Sequence, residues 1–282
     1  MHTRKKTKTI LVFLLTLLTV FVSWIIFENK NIQVNELTVE SKNLPEDFIG
    51  YKIAHISDLH NTEFGKGNEQ LLTLIKDSSP DIIVITGDII DSRHTDVQIA
   101  RDFINNAAKI APVYYVTGNH ESRVSEENRI DNVPLDENIT VLHNKDVLIQ
   151  KGESEIQIIG IDDPDYLSVT YSDDYMNHEL DKYSNSKHFK ILLSHRPELF
   201  DTYVSNNVDV IFSGHAHGGQ FRLPFVGGLI APHQGLFPEY DSGLYTEEGT
   251  NLIVSRGLGN SIFPFRINNP PEIIITTLED KN

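Results

Sequence analysis

The chain has 282 residues, 39% of them hydrophobic and 23% charged, with 17 glycines, 12 prolines and no cysteine. This supports one α/β domain of roughly 250 residues plus an appendage, and it excludes a disordered chain, a multi-span membrane protein, disulfides, thiolate metal sites and a cysteine nucleophile. Net charge is −16, and setting aside the four cations Arg4, Lys5, Lys6 and Lys8 of the first nine residues leaves −20, a solvated acidic surface for which no nucleic-acid binding is expected.

Residues 1–9 form a basic segment expected in the cytoplasm. From Ile10 to Phe27 the chain reads ILVFLLTLLTVFVSWIIF, about 18 uncharged residues, long enough to cross a bilayer as a helix. A cleaved signal peptide shares the basic start, but its apolar stretch is about 7–15 residues and ends at a small-x-small cleavage site. This run is longer, no such site follows it, and Trp24 and Phe27 sit where interfacial aromatics belong. Residues 10–27 are therefore expected to be an uncleaved transmembrane signal anchor, making a single pass through the cell membrane with residues from about 28 onward outside the cytoplasm. A buried core helix fits poorly, because no face of the run is polar enough to meet water.

The catalytic domain is expected over residues 32–282. Residues 32–40 alternate apolar and polar positions as a half-buried strand does, and Leu44-Pro45-Glu46 reads as a turn. Short apolar runs follow at 53–57, 82–86, 113–117, 156–161, 191–194 and 208–213, the pattern of buried strands in an α/β sandwich. Helical stretches at 68–78 and 95–110 supply the crossovers that parallel strands need, and late strands at 252–255 and 273–277 close the domain. The Gly- and Pro-rich stretch 218–238 reads as an ordered loop.

In open α/β sheets, ligand sites form beyond the carboxyl ends of strands, and here those ends repeat one chemical theme. Asp58-Leu59-His60, Gly87-Asp88, Gly118-Asn119-His120-Glu121, His195 and Gly214-His215-Ala216-His217 each follow one of the strand-like runs. Taken singly, a loop carboxylate or a hydrogen-bonded histidine is the ordinary explanation of such residues. Five in order, each at a strand terminus and none with sulfur, point instead to one site. Two carboxylates, an amide oxygen and four imidazoles suit Mn, Fe or Zn better than Ca or Mg, and seven ligands exceed what one ion takes, so two divalent ions sharing a bridge are implied.

The motif set resembles that of the calcineurin-like metallophosphoesterase superfamily over roughly residues 34–278. The further runs Ser213 to Gln220, Gly243-Leu244-Tyr245, Ser255 to Gly259 and Pro271-Glu272-Ile273 resemble its bacterial membrane-associated YkuE- and YaeI-like phosphodiesterase subgroup. The resemblance implies a two-sheet β-sandwich flanked by helices, an α/β (α+β) fold. It implies Asp58, His60 and His217 on a first metal, Asn119, His195 and His215 on a second, Asp88 bridging them, and His120 as general acid, with a role in orienting a metal-bound group as its alternative. Arg93, His94, Arg256 and Arg266 are the candidates for contacting a substrate phosphate. The remaining histidines, His2, His55, His143, His178, His188 and His233, read as surface or hydrogen-bonded core residues.

The expected activity is hydrolysis of a phosphodiester or phosphomonoester by metal-activated hydroxide, the anchor suggesting a lipid or cell-envelope phosphate as substrate. A nucleotide phosphodiesterase or nucleotidase is the second enzymatic reading. A non-catalytic metal-bound docking module on the cell surface is the reading from another class.

Overall fold

The structure, a computed structural model, describes residues 2–167, 172–260 and 263–281. Helix α1 (His2–Lys30) runs unbroken through the apolar segment. Within it, Lys6–Lys30 is long and apolar enough to cross a membrane, and none of its apolar stretch is covered by the rest of the chain. The hydroxyls of Thr16 and Thr19 bond back to the carbonyls of Val12 and Leu15 at 2.9 Å, so the helix satisfies its own polar atoms, as a lipid environment requires.

The chain then forms β1 (Gln33–Ser41), β2 (Tyr51–Ile56), α2 (Glu69–Ser78), β3 (Ile82–Thr86), α3 (Val97–Ala107), β4 (Val113–Val116), β5 (Ile139–Val141), β6 (Lys145–Lys151) and β7 (Ser154–Gly160). After these come α4 (Ser172–Asp181), β8 (Phe189–Leu193), α5 (Phe200–Ser205), β9 (Val210–Ser213), the two-residue strands β10 (Arg222–Leu223), β11 (Gly227–Gly228), β12 (Ile230–Ala231) and β13 (Gly235–Leu236), then β14 (Gly243–Glu247), β15 (Thr250–Val254) and β16 (Glu272–Asp280). One sheet has the order β1-β16-β2-β3-β4-β5 and the other β14-β15-β9-β8-β7-β6. In the first, β2 to β5 are parallel; in the second, β7, β8, β9 and β15 are parallel, with antiparallel β6 and β14 at the edges.

The period of two along each strand builds the layers. On β2 and β3, Ile53, Ile82 and Val84 face the second sheet and meet Ile158, Ile191, Phe212 and Ile253 in the middle of the sandwich. Their neighbours Ala54, Ile56, Ile83 and Ile85 face outward beneath Leu71 and Ile75 of α2 and Phe103 and Ile104 of α3. On the far face, Met176 and Leu180 of α4 and Phe200 and Tyr203 of α5 cover Ile159, Leu192 and Ile211. Each such aliphatic or aromatic side chain contributes about 1.5–3 kcal/mol by leaving water. Helix α3 starts at Val97 because the Asp96 carboxylate accepts the Gln98 N–H at 3.1 Å.

Sequence and structure differ at the edges. β5, β6 and β14 do not stand out as apolar runs: β5 is only three half-buried residues long, and along β6 and β14, at sheet edges, exposed positions alternate with half-buried ones. The stretch 218–238 is ordered as two small hairpins, β10–β11 and β12–β13.

Candidate metal centre

The carboxyl ends of β2, β3 and β4 on one sheet and of β8 and β9 on the other open at the same edge of the sandwich. The turn after β2 presents Asp58 and His60, the turn after β3 presents Asp88, and the turn after β4 presents Asn119 and His120. From the second sheet come His195, then His215 and His217. Asp58, His60, Asp88, His215 and His217 all adopt positive φ, between 46° and 65°, a conformation that costs a side-chain-bearing residue energy and that here bends successive side chains toward one point. The backbones are held there by mutual bonds: Asp58 N–H donates to Gly87 O and His60 N–H to Asp88 O, both at 3.0 Å. Gly118 and Gly214 have no room for a Cβ, which would collide with Asp88 in the first case and with Ser57 and Asp58 in the second.

Among the described residues four groups of donor atoms each lie within 4.8 Å. Two are built of the expected ligands, Asp58, His60, Asp88 and His217, then Asp88, His195 and His215, and His60–Asp91–His120 and Glu198–His215–His233 flank them. Asp88 belongs to both groups of expected ligands. His217 Nε2 lies 3.3 Å from Asp58 Oδ1, and His195 Nε2 lies 3.3 Å from Asp88 Oδ2. His60 Nε2 is 3.7 Å from Asp88 Oδ2 and 3.3 Å from His217 Nε2. The Asn119 amide presents one polar atom to His215 Nδ1 at 2.9 Å and to His195 Nε2 at 3.3 Å, and the other to the Arg123 guanidinium at 3.1 Å. Hydrogen bonding alone turns its nitrogen toward the imidazoles; ligation of a cation calls for its oxygen there, a half-turn of the amide.

The chemistry of these donors fits divalent ions. Asp58 and Asp88 are fully buried, and among the described residues no lysine or arginine pairs with either. Such a concentration of negative charge demands a cation. The demand is visible in the titration of His195: burial alone would lower its pKa, but the Asp88 carboxylate overrides this and pushes it up to about 10. Burial lowers His60 to about 3 and holds His215 and His217 well below the usual range, leaving the neutral imidazoles that metal ligation uses. His195 Nδ1–H donates to the Thr86 carbonyl at 2.6 Å, which directs Nε2 inward at Asp88, where a cation would displace the proton that Asp88 holds on it.

His120 lines the mouth of this centre in a cleft of about 430 Å³ shared with Asp88, Ser92, Arg93, Arg123 and His233. Ser92 N–H donates to His120 Nδ1 at 3.1 Å, so the neutral ring carries its hydrogen on Nε2. The Ser92 hydroxyl and Asp91 Oδ1, at 3.1 and 3.5 Å from Nδ1, can accept when that nitrogen is protonated as well. Burial lowers the His120 pKa, and Asp88 and Asp91 act against it.

The four candidates for substrate contact are distributed unevenly. Arg93 reaches the cleft and pairs with Asp91 at 2.9 Å. His94 lies exposed, its carbonyl accepting from Asn61. Arg256 pairs with Glu272 at 2.8 Å. Arg266 is fully buried, donating to the carbonyls of Arg256 and Gly259 with Nη2 3.4 Å from His217 Nδ1.

Other residues of the site had no distinct signal in the sequence. Glu121, directly after His120, is buried with its carboxylate accepting from the backbone N–H groups of Asp88, Gly118 and Ile90 at 2.8, 2.8 and 3.2 Å, which ties the turns after β3 and β4 together. His233, between β12 and β13, stacks on His215 with its Nδ1 2.9 Å from His215 Nε2. Beneath it, buried Arg196 pairs with Asp163 at 2.8 Å. Glu121 stands beside a recognisable motif, whereas His233, Arg196 and Asp163 are brought in from separate turns.

Residues 51–219 match the family model described as calcineurin-like phosphoesterase. The chain is 31% identical to the Bacillus subtilis metallophosphoesterase YkuE over 89% of this chain and 87% of that one. It is 27% identical to the Escherichia coli phosphodiesterase YaeI over 81% and 82% of the two chains. A transmembrane protein with metallophosphoesterase domain from Danio rerio is 26% identical over 86% of this chain and 56% of its own length. The chain belongs to the calcineurin-like phosphoesterase family and is a metal-dependent phosphoric ester hydrolase of its YkuE- and YaeI-like subgroup.

Proposed function

We propose that the chain is a dinuclear phosphoesterase anchored by α1, cleaving a phosphodiester or phosphomonoester at the outer membrane–water boundary. The observation that carries this reading is the presence of two buried donor groups sharing one carboxylate, Asp88. Asp58, His60 and His217 would hold one ion, Asn119, His195 and His215 the other, with Asp88 between them; the mixture of carboxylate, amide and imidazole suits Mn, Fe or Zn. When bound, the ion pair supplies Lewis acidity to the phosphoryl oxygens and hydroxide at neutral pH.

The chain's own residues do the rest. The His120 N–H donates to Asp88 Oδ1 at 2.7 Å, fixing the shared carboxylate. The doubly protonated His120 ring, its Nδ1–H accepted by Asp91 Oδ1 or the Ser92 hydroxyl, gives its Nε2 proton to the departing oxygen and is left as a neutral imidazole. Arg93 and Arg123 at the cleft supply positive charge toward the phosphate's non-reacting oxygens. No protein nucleophile is needed, and burial of the donors keeps bulk water from competing.

The test is hydrolysis of bis(p-nitrophenyl) phosphate by the full chain in detergent with manganese, beside nucleotides and detergent-solubilised phospholipid esters, with a count of bound metal. About two ions per chain are expected, with activity reduced by about a hundredfold or more in Asp88→Asn and His120→Ala. A single ion per chain, or wild-type activity in Asp88→Asn, contradicts the dinuclear reading; nucleotides preferred over every membrane phosphate ester contradicts the substrate class.

A further inference from the structure

We propose that the two hairpins between residues 222 and 237, together with the turn at 263–265, form an apolar lip that enters the lipid interface beside α1, so that the metal centre opens at headgroup depth and takes phosphate esters whose apolar parts stay in the bilayer. The lip itself follows from where α1 ends. The last apolar residue of the spanning run is Phe27, and the next two residues of the helix are bonded to the catalytic domain. Asn29 exchanges hydrogen bonds with the Arg266 backbone at 2.8 and 2.9 Å, and Glu28 accepts from Asn268 N–H at 2.8 Å. At about 1.5 Å of rise per residue, segment 266–268 is attached within roughly one helical turn of the hydrocarbon boundary.

The hairpins are pinned to that same segment. The Phe221 ring packs on Phe263 and Phe265 with centroids 5.2 and 5.8 Å apart. Arg222 N–H donates to Ile267 O at 3.0 Å, and the second hairpin follows through Leu229 N–H to Phe221 O at 2.8 Å and Phe237 N–H to Leu229 O at 2.9 Å. What these pinned loops present outward is apolar. Phe225, at the tip of β10–β11, is 109% exposed; Leu236 and Phe237 are 66% and 59% exposed, and Phe263 and Phe265 are exposed beside them. Ile230 and Leu236, cross-strand partners on β12–β13, are both turned to solvent. Large apolar side chains clustered on ordered loops are disfavoured in water, and aromatic and aliphatic tips beside a spanning helix are what an interfacial anchor presents. The contact is continuous with the membrane surface that α1 already defines, which favours lipid over a second copy of the chain.

The lip is also a wall of the site. The turn between β12 and β13 carries Pro232 and His233 into the cleft with His120, His215 and His217. Immersing the outer side of these hairpins brings the inner side to the level of lipid phosphates. This last step rests on the phosphoesterase reading; the immersion does not.

The chain has no cysteine, so Phe225→Cys and Phe237→Cys each provide a unique attachment point for an environment-sensitive fluorophore. The reference is Glu248→Cys, in the turn at the opposite end of β15 from the metal centre. The full-length variants are reconstituted in phosphatidylcholine vesicles containing a doxyl-labelled phosphatidylcholine. Labels at 225 and 237 should be quenched several-fold more than at 248; equal quenching overturns the lip. Excimer formation between pyrene labels at 225, without quenching by doxyl lipid, assigns the patch to a second copy and also overturns it. In a second measurement, Phe225→Asp/Phe237→Asp should hydrolyse phosphatidyl-p-nitrophenol held in the vesicles about tenfold more slowly while cleaving soluble bis(p-nitrophenyl) phosphate at the wild-type rate. Equal effects on both substrates overturn the lip, whereas a wild type inactive on both defeats the phosphoesterase reading and leaves the quenching result to decide the lip.

Discussion

Glu121→Gln isolates what holds the two ligand-bearing turns together. The wild-type carboxylate is buried and receives three backbone N–H groups, two on Oε2 from Asp88 and Gly118 and one on Oε1 from Ile90. A glutamine has one oxygen, so its best arrangement keeps the two bonds from Asp88 and Gly118 and sets an NH2 against the Ile90 N–H. One charge-assisted bond worth about 1.5–3 kcal/mol is lost and the two others weaken toward neutral strength. Against this, burial and the neighbouring Asp88 push the Glu121 pKa up to about 7, so removing its charge relieves some desolvation. The net cost is about 2 kcal/mol, and because the turns carry Asp88 and Asn119, most of it should appear as weaker metal binding, in line with the roughly 10–100-fold effect of groups that orient ligands. The assay is competition for manganese against a chelator, followed by kcat as a function of manganese. The expected outcome is a manganese Kd raised about 10–100-fold with kcat at saturating manganese within about threefold of wild type. Unchanged affinity with a collapsed kcat would refute a positioning role and put Glu121 in the chemistry; unchanged values of both would refute the cradle itself.

Other changes separate steric, electrostatic and titration effects. Gly214→Ala should abolish activity by driving its Cβ into Ser57 and Asp58, while Gly50→Ala, which meets no atom but holds φ at 77°, should cost only about 1 kcal/mol in urea unfolding and leave activity intact. Asp163→Asn removes the buried carboxylate that grips Arg196, leaving Asp165 at 3.1 Å and Glu198 at 3.5 Å as its partners, and should lower stability by about 1.5–3 kcal/mol, measured by urea denaturation; an unchanged stability would contradict that role. His55, buried between the sheets against Phe212, has its pKa lowered by burial from 6.5 to about 3. Between those values the unfolded chain binds a proton that the folded chain does not, so stability falls as pH drops below about 6.5, by about 1.4 kcal/mol per unit. In His55→Leu the loss of stability from pH 7 to pH 5 should shrink by about 2 kcal/mol relative to wild type, and an unchanged difference would show that His55 does not set acid sensitivity.

The candidate donors are legible because a parallel strand advertises itself twice, as a short apolar run and as the polar residues just past its carboxyl end. The run Ile82–Thr86 matches β3 residue for residue, and Asp88 follows from it. Edge strands such as β6 lack the first half of that signal: Lys145, Asp146, Leu148, Gln150 and Lys151 are exposed and only Val147 and Ile149 are half-buried. Supporting residues lack the second half. A carboxylate such as Glu121 looks like any loop acid until its three N–H partners are seen, and Arg196 meets Asp163 only because separate turns converge. Among the arginines singled out in the sequence, nothing in spacing separates Arg93 in the cleft from Arg266, fully buried against His217.

This difference divides the molecule by function. The candidate donors sit at strand ends, in turns held by the core, by Glu121 and by the close approach at Gly214. What lines the cleft beside them comes from segments joined by tertiary contact: Arg93 and Arg123 from the turns after β3 and β4 and His233 from the β12–β13 hairpin, with the 263–268 segment behind them binding the end of α1. Arg266 links the last of these to the centre, its backbone bonded to Asn29 of α1 and its guanidinium lying against His217. Under the proposed anchoring, the orientation of the domain over a membrane and the shape of the cleft are set by the same few contacts. Altering the α1 junction should change which phosphate esters reach the centre before it changes the reaction performed there.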